Sequence, residues 1–366
     1  MEKTLLQKLQ SIRPGGFTAA AGFDAVTDQV SHVIRGVRPD GTKEFFRSIA
    51  EFAEYLSKKS GLSASLELET VCEKIGGNMA IYANALGCLG VRVHCAGSFG
   101  DSAGSAFQRM SPNCVCYDIC EQAFCQALEF DDGKLMLASM DKLRQITWER
   151  LEERVGLPEL TAWARQDNVL ALLNWSELGG ATALFRNVYR NLLEPYPADR
   201  TKYLFMDISD ASGRQPKELL ELLELLRQFE TRRTVILSVN ENECSLLAAA
   251  LSVGSTRDTV EKARQVRAKI GCTCLVLHLR DRAMGFLDGE EAECPGYFVE
   301  QPLVATGGGD NFNAGFTLGL LAGFALRDCL CLGNAVSGFY VRQGKSPEFQ
   351  ELMAFLADRK ERIHDA

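Results

Sequence analysis

From Trp148 onward, short apolar runs alternate with amphipathic stretches, and this rhythm constrains the fold more than any other feature. The spacing predicts helices over 148–165, 181–193, 216–229, 240–251 and 257–270. Between them lie runs of strand length at 168–174, 202–207, 233–239 and 273–279. Apolar runs of that length, each followed by a helix, imply βαβ units and a parallel sheet covered on both faces. Near the N-terminus, after a Pro14-Gly15-Gly16 break, residues 17–23 read as a further buried strand. It runs into Asp24 and Asp28, two carboxylates where open α/β sheets place ligands, at the C-terminal ends of strands.

A second group of segments is too polar for central parallel strands. Residues 28–38, 114–119, 123–130 and 134–137, with an Asp131-Asp132-Gly133 turn, read as a small separate sheet. Residues 43–59 carry helical spacing. Ile75-Gly76-Gly77-Asn78-Met79-Ala80 opens another helix, with Asn78 as donor and acceptor at its start and glycines that permit close approach. A ligand contact and an ordinary N-terminal turn both satisfy that segment. Residues 91–96 form a strand, and Gly100 to Gly104 a turn into a helix. The cysteine count of 13 is odd, no Cys-x-x-Cys pair occurs, and His32, His94, His278 and His364 are scattered. Buried reduced thiols follow from this rather than zinc or a disulfide framework. His94 and His278 fall on strand patterns and read as satisfied core histidines. No repeat, linker or charge block divides the chain, so residues 1–366 read as one domain.

The densest chemistry lies late, in Thr306-Gly307-Gly308-Gly309-Asp310-Asn311-Phe312-Asn313-Ala314-Gly315. It follows a β-like run over 297–304 and opens a long apolar helix. Helices over 328–343 and 347–363 come after it. Three bare glycines at a helix start make an anion site from backbone N–H groups. A carboxylate on its lip suits a base that takes a proton from a hydroxyl attacking a phosphoryl group. A plain N-cap and tight turn is the competing reading. The net charge of −8 argues against nucleic acid as a partner. The longest apolar run, 314–326, is too short for a bilayer. Without a signal-peptide layout at the N-terminus, a cytoplasmic location is expected.

Asp28, Gly76-Gly77-Asn78, Gly100-Asp101, Asn240-x-x-Glu243 and Gly307-Gly308-Gly309-Asp310 occur in one order across nearly the whole chain. That order resembles the ribokinase-like (PfkB) carbohydrate kinase family. Gly308 stands where the family signature usually has alanine, and Val304 replaces a frequent aspartate. The resemblance implies a three-layer α/β sandwich, with a mostly parallel central sheet, helices on both faces and a small β-sheet lid. The lid would comprise residues 28–40 and 114–140. The implied activity is ATP-dependent phosphorylation of a sugar hydroxyl. A nucleoside kinase of the same fold and a non-catalytic sugar-binding relative are the alternatives.

The resemblance also implies roles. Asp310 would be the general base, with the amides of Gly307, Gly308, Gly309 and Asp310 holding the transferred phosphoryl group. Asp24, Asp28, Gly76, Gly77 and Asn78 would bind the acceptor, with Asp24 and Asp28 interchangeable as its main ligand. Asn240, Glu243, Asn313 and Asn334 would line the nucleotide and phosphate site. Glu243 would act on Mg²⁺ through water, and a monovalent cation such as K⁺ is a further option. Arg214 is open to either a phosphate contact or a surface ion pair, and Trp175 to lining the cleft or packing. Exposed Val30, Val33 and Ile34 on the lid would pair with a second copy. The stretch 43–65 is either a lid extension or a specificity element.

Overall fold

The computed structural model of the chain describes residues 2–100, 106–254, 256–300, 302–304 and 306–358. Asp101 and the rest of the Gly100–Gly104 turn beyond Gly100 lie outside that set, as do residues 359–363 of the last predicted helix. The described strands, in chain order, are β1 (Thr18–Phe23), β2 (Val26–Val37), β3 (Lys43–Phe45), β4 (Glu67–Gly76), β5 (Arg92–Gly97), β6 (Cys114–Asp118) and β7 (Ala123–Phe130). They continue with β8 (Gly133–Ser139), β9 (Val169–Leu173), β10 (Tyr203–Asp207), β11 (Thr234–Val239), β12 (Cys274–His278), β13 (Arg282–Leu287) and β14 (Glu290–Pro295).

The large sheet runs β14-β13-β12-β11-β10-β9-β1-β5-β6. From β12 to β6 every pair is parallel, and β13 and β14 add an antiparallel end. Alternation along each strand sends side chains to opposite faces. On β9, Leu170 and Leu172 join one core while Val169, Ala171 and Leu173 join the other. The first core is closed by the helices between Trp148 and Ile270. The second is closed by helices Asn78–Cys88, Gly308–Leu321 and Leu326–Gln343. Two faces covered in this way are what the near-continuous apolar strands require.

Several elements differ from expectation. The predicted helix 148–165 is two helices, Trp148–Val155 and Leu157–Gln166, because Gly156 takes φ +90 and Pro158 opens the second. Cys114–Asp118 was expected in the small sheet, yet it pairs in parallel with β5 at the edge of the large one. Residues 297–304 form no strand among those described. The hairpin that precedes the glycine run is β13–β14, turned at Asp288-Gly289 with both φ positive. Cys294 and Cys331 are joined by a disulfide, contrary to the all-thiol expectation, and the other eleven cysteines are free.

The small sheet runs β3-β2-β7-β8, with β4 also on β2. β4 was not anticipated: its Glu-Leu-Glu-Thr-Val-Cys-Glu-Lys run has no clean apolar face, and only the long register with β2 defines it. Residues 43–59 divide into β3 and the helix Ile49–Lys58. That helix lays Phe52 against Val33, Phe46, Leu128 and Phe130, a third core belonging to the small sheet alone. Burying each such ring contributes roughly 1.5–3 kcal/mol. Val33 belongs to that core, and Val30 and Ile34 are buried as well, which removes the three as an exposed surface for pairing with a second copy. No helix among the described residues is long and apolar enough to cross a membrane.

Candidate active site

Parallel strands present their C-terminal ends to one rim of the large sheet. Asp24 follows β1, Asn174 follows β9, Asp207 ends β10, Asn240 follows β11 and His278 ends β12. The chain goes from β1 to β5 on one side and resumes at β9 on the other, so β1 and β9 flank the topological switch point. A crevice is expected there.

Asp24 is fully buried and accepts three hydrogen bonds. They come from the backbone N–H groups of Asn78 (2.7 Å) and Met79 (2.9 Å) and from Asn174 Nδ2 (2.8 Å). It thereby caps the helix Asn78–Cys88 from another element. Asn78 turns its side chain the other way, donating from Nδ2 to Asp310 Oδ1 at 3.0 Å. One residue thus ties the first strand's carboxylate to the late one.

Asp28 lies on β2 of the small sheet and accepts no hydrogen bond among the described residues. Gly76 is required beside it, since a Cβ there would stand 2.6 Å from the Asp28 carboxyl carbon. Burial pushes both carboxyls up to about 6, with hydrogen bonds opposing the rise for Asp24 and the charge of Glu177 adding to it for Asp28.

The glycine run opens the helix Gly308–Leu321. Gly307 takes φ +87, and a Cβ on it would meet the Tyr340 hydroxyl at 2.8 Å, so only glycine fits. The helix ladder begins with the Asn311 N–H bonded to the Gly307 carbonyl. As at any helix start, the amides ahead of it have no partner within the ladder and carry the positive end of the dipole. Asp310 sits in that first turn, 7 % exposed. Burial holds its carboxyl well above the usual range, and the charges of Asp207 and Asp24 push it further.

Beyond the turn lies a second polar group. Asn313 Nδ2 donates to Asp207 at 2.7 Å, and Ser238 Oγ donates to Asn313 Oδ1 at 2.6 Å. Asn240 and Glu243 form a capping box: the Asn240 side chain accepts from the Glu243 N–H, and Glu243 accepts from the Asn240 N–H and Nδ2. Burial, followed by the charge of Asp207, raises Glu243 to about 8. A cleft of about 410 Å³ opens alongside, lined by His278, Phe298, Gly308, Gly309, Asn334 and Ser337 among others. Asn334 forms part of its wall and donates to the Cys294 and Pro295 carbonyls, at 2.8 and 3.1 Å.

The structure therefore brings Asp24, Gly76, Gly77, Asn78 and Asp310 together on one side of the glycine turn, with Asp28 over them. Asn313 and Glu243 meet at Asp207 on the other, with Asn240 capping Glu243's helix, while Asn334 lies apart from them in the wall of the cleft. Sequence reasoning passed over Asn174, Glu177 and Asp207 as site residues. Asn174 directly follows β9, Asp207 ends β10 and Glu177 lies in the loop after β9, and nearness to a strand's C-terminal end was the available signal. His278 is not a satisfied core residue: its Nε2 is shielded and unpartnered. His94 does bond Asp167 at 3.0 Å and stacks on Trp163. Arg214 donates to the carbonyls of Trp175, Ser176 and Leu178 and lies over the Trp175 ring, so it straps a loop instead of facing a phosphate. Trp175 is packed, 1 % exposed.

Comparison with known proteins gives a consistent picture. A family model described as prokaryotic ketohexokinase matches residues 7–359. A ketohexokinase of Haloferax volcanii is 26% identical over 345 residues, covering 94% of this chain and 92% of its own. A solved ribokinase of Arabidopsis thaliana, complexed with ribose and ATP, superposes with a TM-score of 0.62 at 14% identity, covering 95% of this chain and 100% of the other. An adenosine kinase of Sinorhizobium meliloti gives 0.64 at 18%, covering 92% and 97%. At these identities the two structures speak to the fold, which is ribokinase-like.

Proposed function

The chain belongs to the prokaryotic ketohexokinase family, and from that premise we propose that it transfers the γ-phosphoryl group of ATP to a hydroxyl of a ketohexose, with Asp310 as general base. It is a carbohydrate kinase of the PfkB type. A ketohexose is favoured as acceptor by the description of the Haloferax volcanii relative. The observation that carries the chemistry is the 3.0 Å bond from Asn78 to Asp310, because it holds the buried carboxylate between acceptor side and anion turn.

In this reading the acceptor lies under the small sheet, with Asp28 and Asn78 on its hydroxyls and Gly76 and Gly77 allowing close approach. Asp310 takes the proton from the attacking hydroxyl; burial and the charges of Asp207 and Asp24 raise its affinity for that proton above that of an ordinary carboxylate. The N–H groups of Gly307 to Asp310 stabilise the charge that grows on the transferred group. Asn240, Asn313 and Asn334 belong to the nucleotide side. The small sheet excludes water, the competing acceptor.

A divalent cation fits the donor side. Asp207, Glu243 and Asp310 are buried carboxyls raised first by desolvation, and the charge of Asp207 raises the other two further. No cluster of three metal-ligating side chains exists among the described residues, which suits Mg²⁺ held largely by phosphates and water. Asp207 and Glu243 would hold it, Glu243 through water because both its oxygens already accept from Asn240. Bound there, the ion neutralises phosphate charge.

The deciding experiment is an ADP-release assay over fructose, other ketohexoses, ribose, glucose and adenosine, with and without chelator. Fructose or another ketohexose is expected to give the highest kcat/KM, and activity to vanish in excess chelator. Preference for adenosine or ribose, or turnover without divalent metal, would overturn the assignment.

A further inference from the structure

The opposite end of the large sheet carries a basic cleft with no place in the catalytic scheme. It encloses about 350 Å³ and is lined by Arg165, Lys202, Arg232, Arg233 and Asp199, with apolar walls that include Leu192 and Leu193. Lys202 and Arg233 directly precede β10 and β11, whose other ends carry Asp207 and Asn240. A five-residue strand spans about 17 Å, so the two clefts are separate.

Four cations meet the charges of buried Asp167, which also bonds His94, and of one lining carboxylate, in a protein whose net charge is −8. That carboxylate is engaged: Asp199 accepts from the N–H and hydroxyl of Thr201, at 3.1 and 2.6 Å, and lies 3.7 Å from Lys202. Arg233 is 2 % exposed and spends its donors on the Ala164 and Tyr203 carbonyls, so it belongs to the framework. The others have donors to spare. Arg232 makes one bond, to the Tyr196 carbonyl at 3.3 Å, and its Nε is buried without an acceptor. A buried donor of that kind is destabilising unless a ligand or water meets it. Lys202 donates to the Arg165 carbonyl with one of its three N–H groups. Arg165 is exposed at the rim, its guanidinium over the Tyr196 ring at 5.1 Å.

The wall is also unusual. Tyr189–Leu193 is a π-helical turn, which gives Leu192 and Leu193 to the cleft. Such turns recur at functional sites because the wider ring re-aims side chains. A guanidinium with unused donors next to an ammonium matches a tetrahedral dianion, which can accept from both at once. A monocarboxylate would leave the excess of positive charge standing. The apolar wall asks for carbon attached to that anion.

We propose that this cleft binds a small organic phosphate, with the phosphate on Lys202 and Arg232, Arg165 at the rim, and the carbon portion against Leu192 and Leu193. Titration calorimetry of the full chain with glycerol 3-phosphate tests it, with inorganic phosphate and glycerol as controls. Glycerol 3-phosphate is expected to bind more tightly than inorganic phosphate, and glycerol to give no heat. The double variant Lys202→Gln/Arg232→Gln is expected to lose at least tenfold in affinity. Arg165→Glu, at an exposed position that leaves folding intact, is expected to lose several-fold. All proteins compared keep the same catalytic cleft, so anion binding at the glycine turn cancels between them. Equal affinity in wild type and Arg165→Glu, no binding by wild type, or inorganic phosphate binding as tightly as the ester would each overturn the proposal.

Discussion

The large sheet and the small sheet bring one aspartate each to the acceptor side, four residues apart, and hold them in opposite ways. Asp24, at the end of β1, has no exposed surface and takes three donors, two of them the opening amides of a helix. Asp28, on β2, takes none among the described residues; Lys134 and Lys74 act on it only through their charge. Both carboxyls are raised to about 6. Their pKa values therefore do not separate them, whereas their hydrogen bonds do. A carboxylate whose lone pairs are filled by the framework is part of that framework, and one with free lone pairs is available to a ligand. On that basis we propose Asp28 as the acceptor ligand and Asp24 as the residue that positions Asn78.

The largest effect is expected where the two sheets' contributions meet, at Asp310. Asp310→Asn should lower kcat by about 10²–10⁴-fold, the usual worth of a general base, while calorimetry finds acceptor and ATP affinity within a few-fold of wild type. Near-normal turnover in that variant would remove Asp310 from its role. Next comes Asp24→Ala, which strands two helix-start amides and the Asn174 amide in a buried site. It should cost about 2–3 kcal/mol of stability, read as a fall in the denaturation midpoint. A variant as stable as wild type with weakened sugar binding would reverse the assignment of Asp24 and Asp28.

The smallest effect runs the other way. Asp28→Asn should raise KM for the acceptor about tenfold, the worth of one hydrogen bond to a charged group, with KM for ATP unchanged. Its effect on stability follows from the sign of the pKa change. A carboxyl raised from its ordinary value to about 6 binds its proton more tightly when folded. That contribution is present below about pH 4 and is lost as pH rises through 6. Replacing Asp28 by a neutral amide should then stabilise the unliganded protein at pH 7.5, by on the order of 1 kcal/mol given its partial exposure, and leave it unchanged at pH 4. Thermal denaturation at the two pH values checks this. Destabilisation at pH 7.5 would mean that Asp28 is held by the framework after all.

How much of this was legible beforehand depended on how local the signal was. The glycine run, the Asn240–Glu243 pair and the Gly76-Gly77-Asn78 segment each sit at a helix start, where a few consecutive residues decide the geometry. The strands β4 and β14 escaped notice because charge-rich strands lack a local signature and are defined by their partners, and β13 pairs with β14 in the same hairpin. β6 was misplaced for the same reason: Cys-Val-Cys-Tyr-Asp alternates in either sheet, and only its parallel register with β5 chooses. Val33 looked exposed until the helix Ile49–Lys58 proved to cover it, and Val30 and Ile34 are likewise buried.

The sequence by itself determined the parallel α/β architecture, the glycine turn at a helix start and the carboxylate within it, since periodicity and helix-start chemistry act over a few neighbouring residues. Only the tertiary structure decided which aspartate is tied and which is free. It also joined Asn78 to Asp310 across 232 positions, and gathered Arg165, Lys202 and Arg232 at the far end of the sheet. Those relations depend on the order in which strands pair, and the free energy that selects that order is spread over the whole buried core.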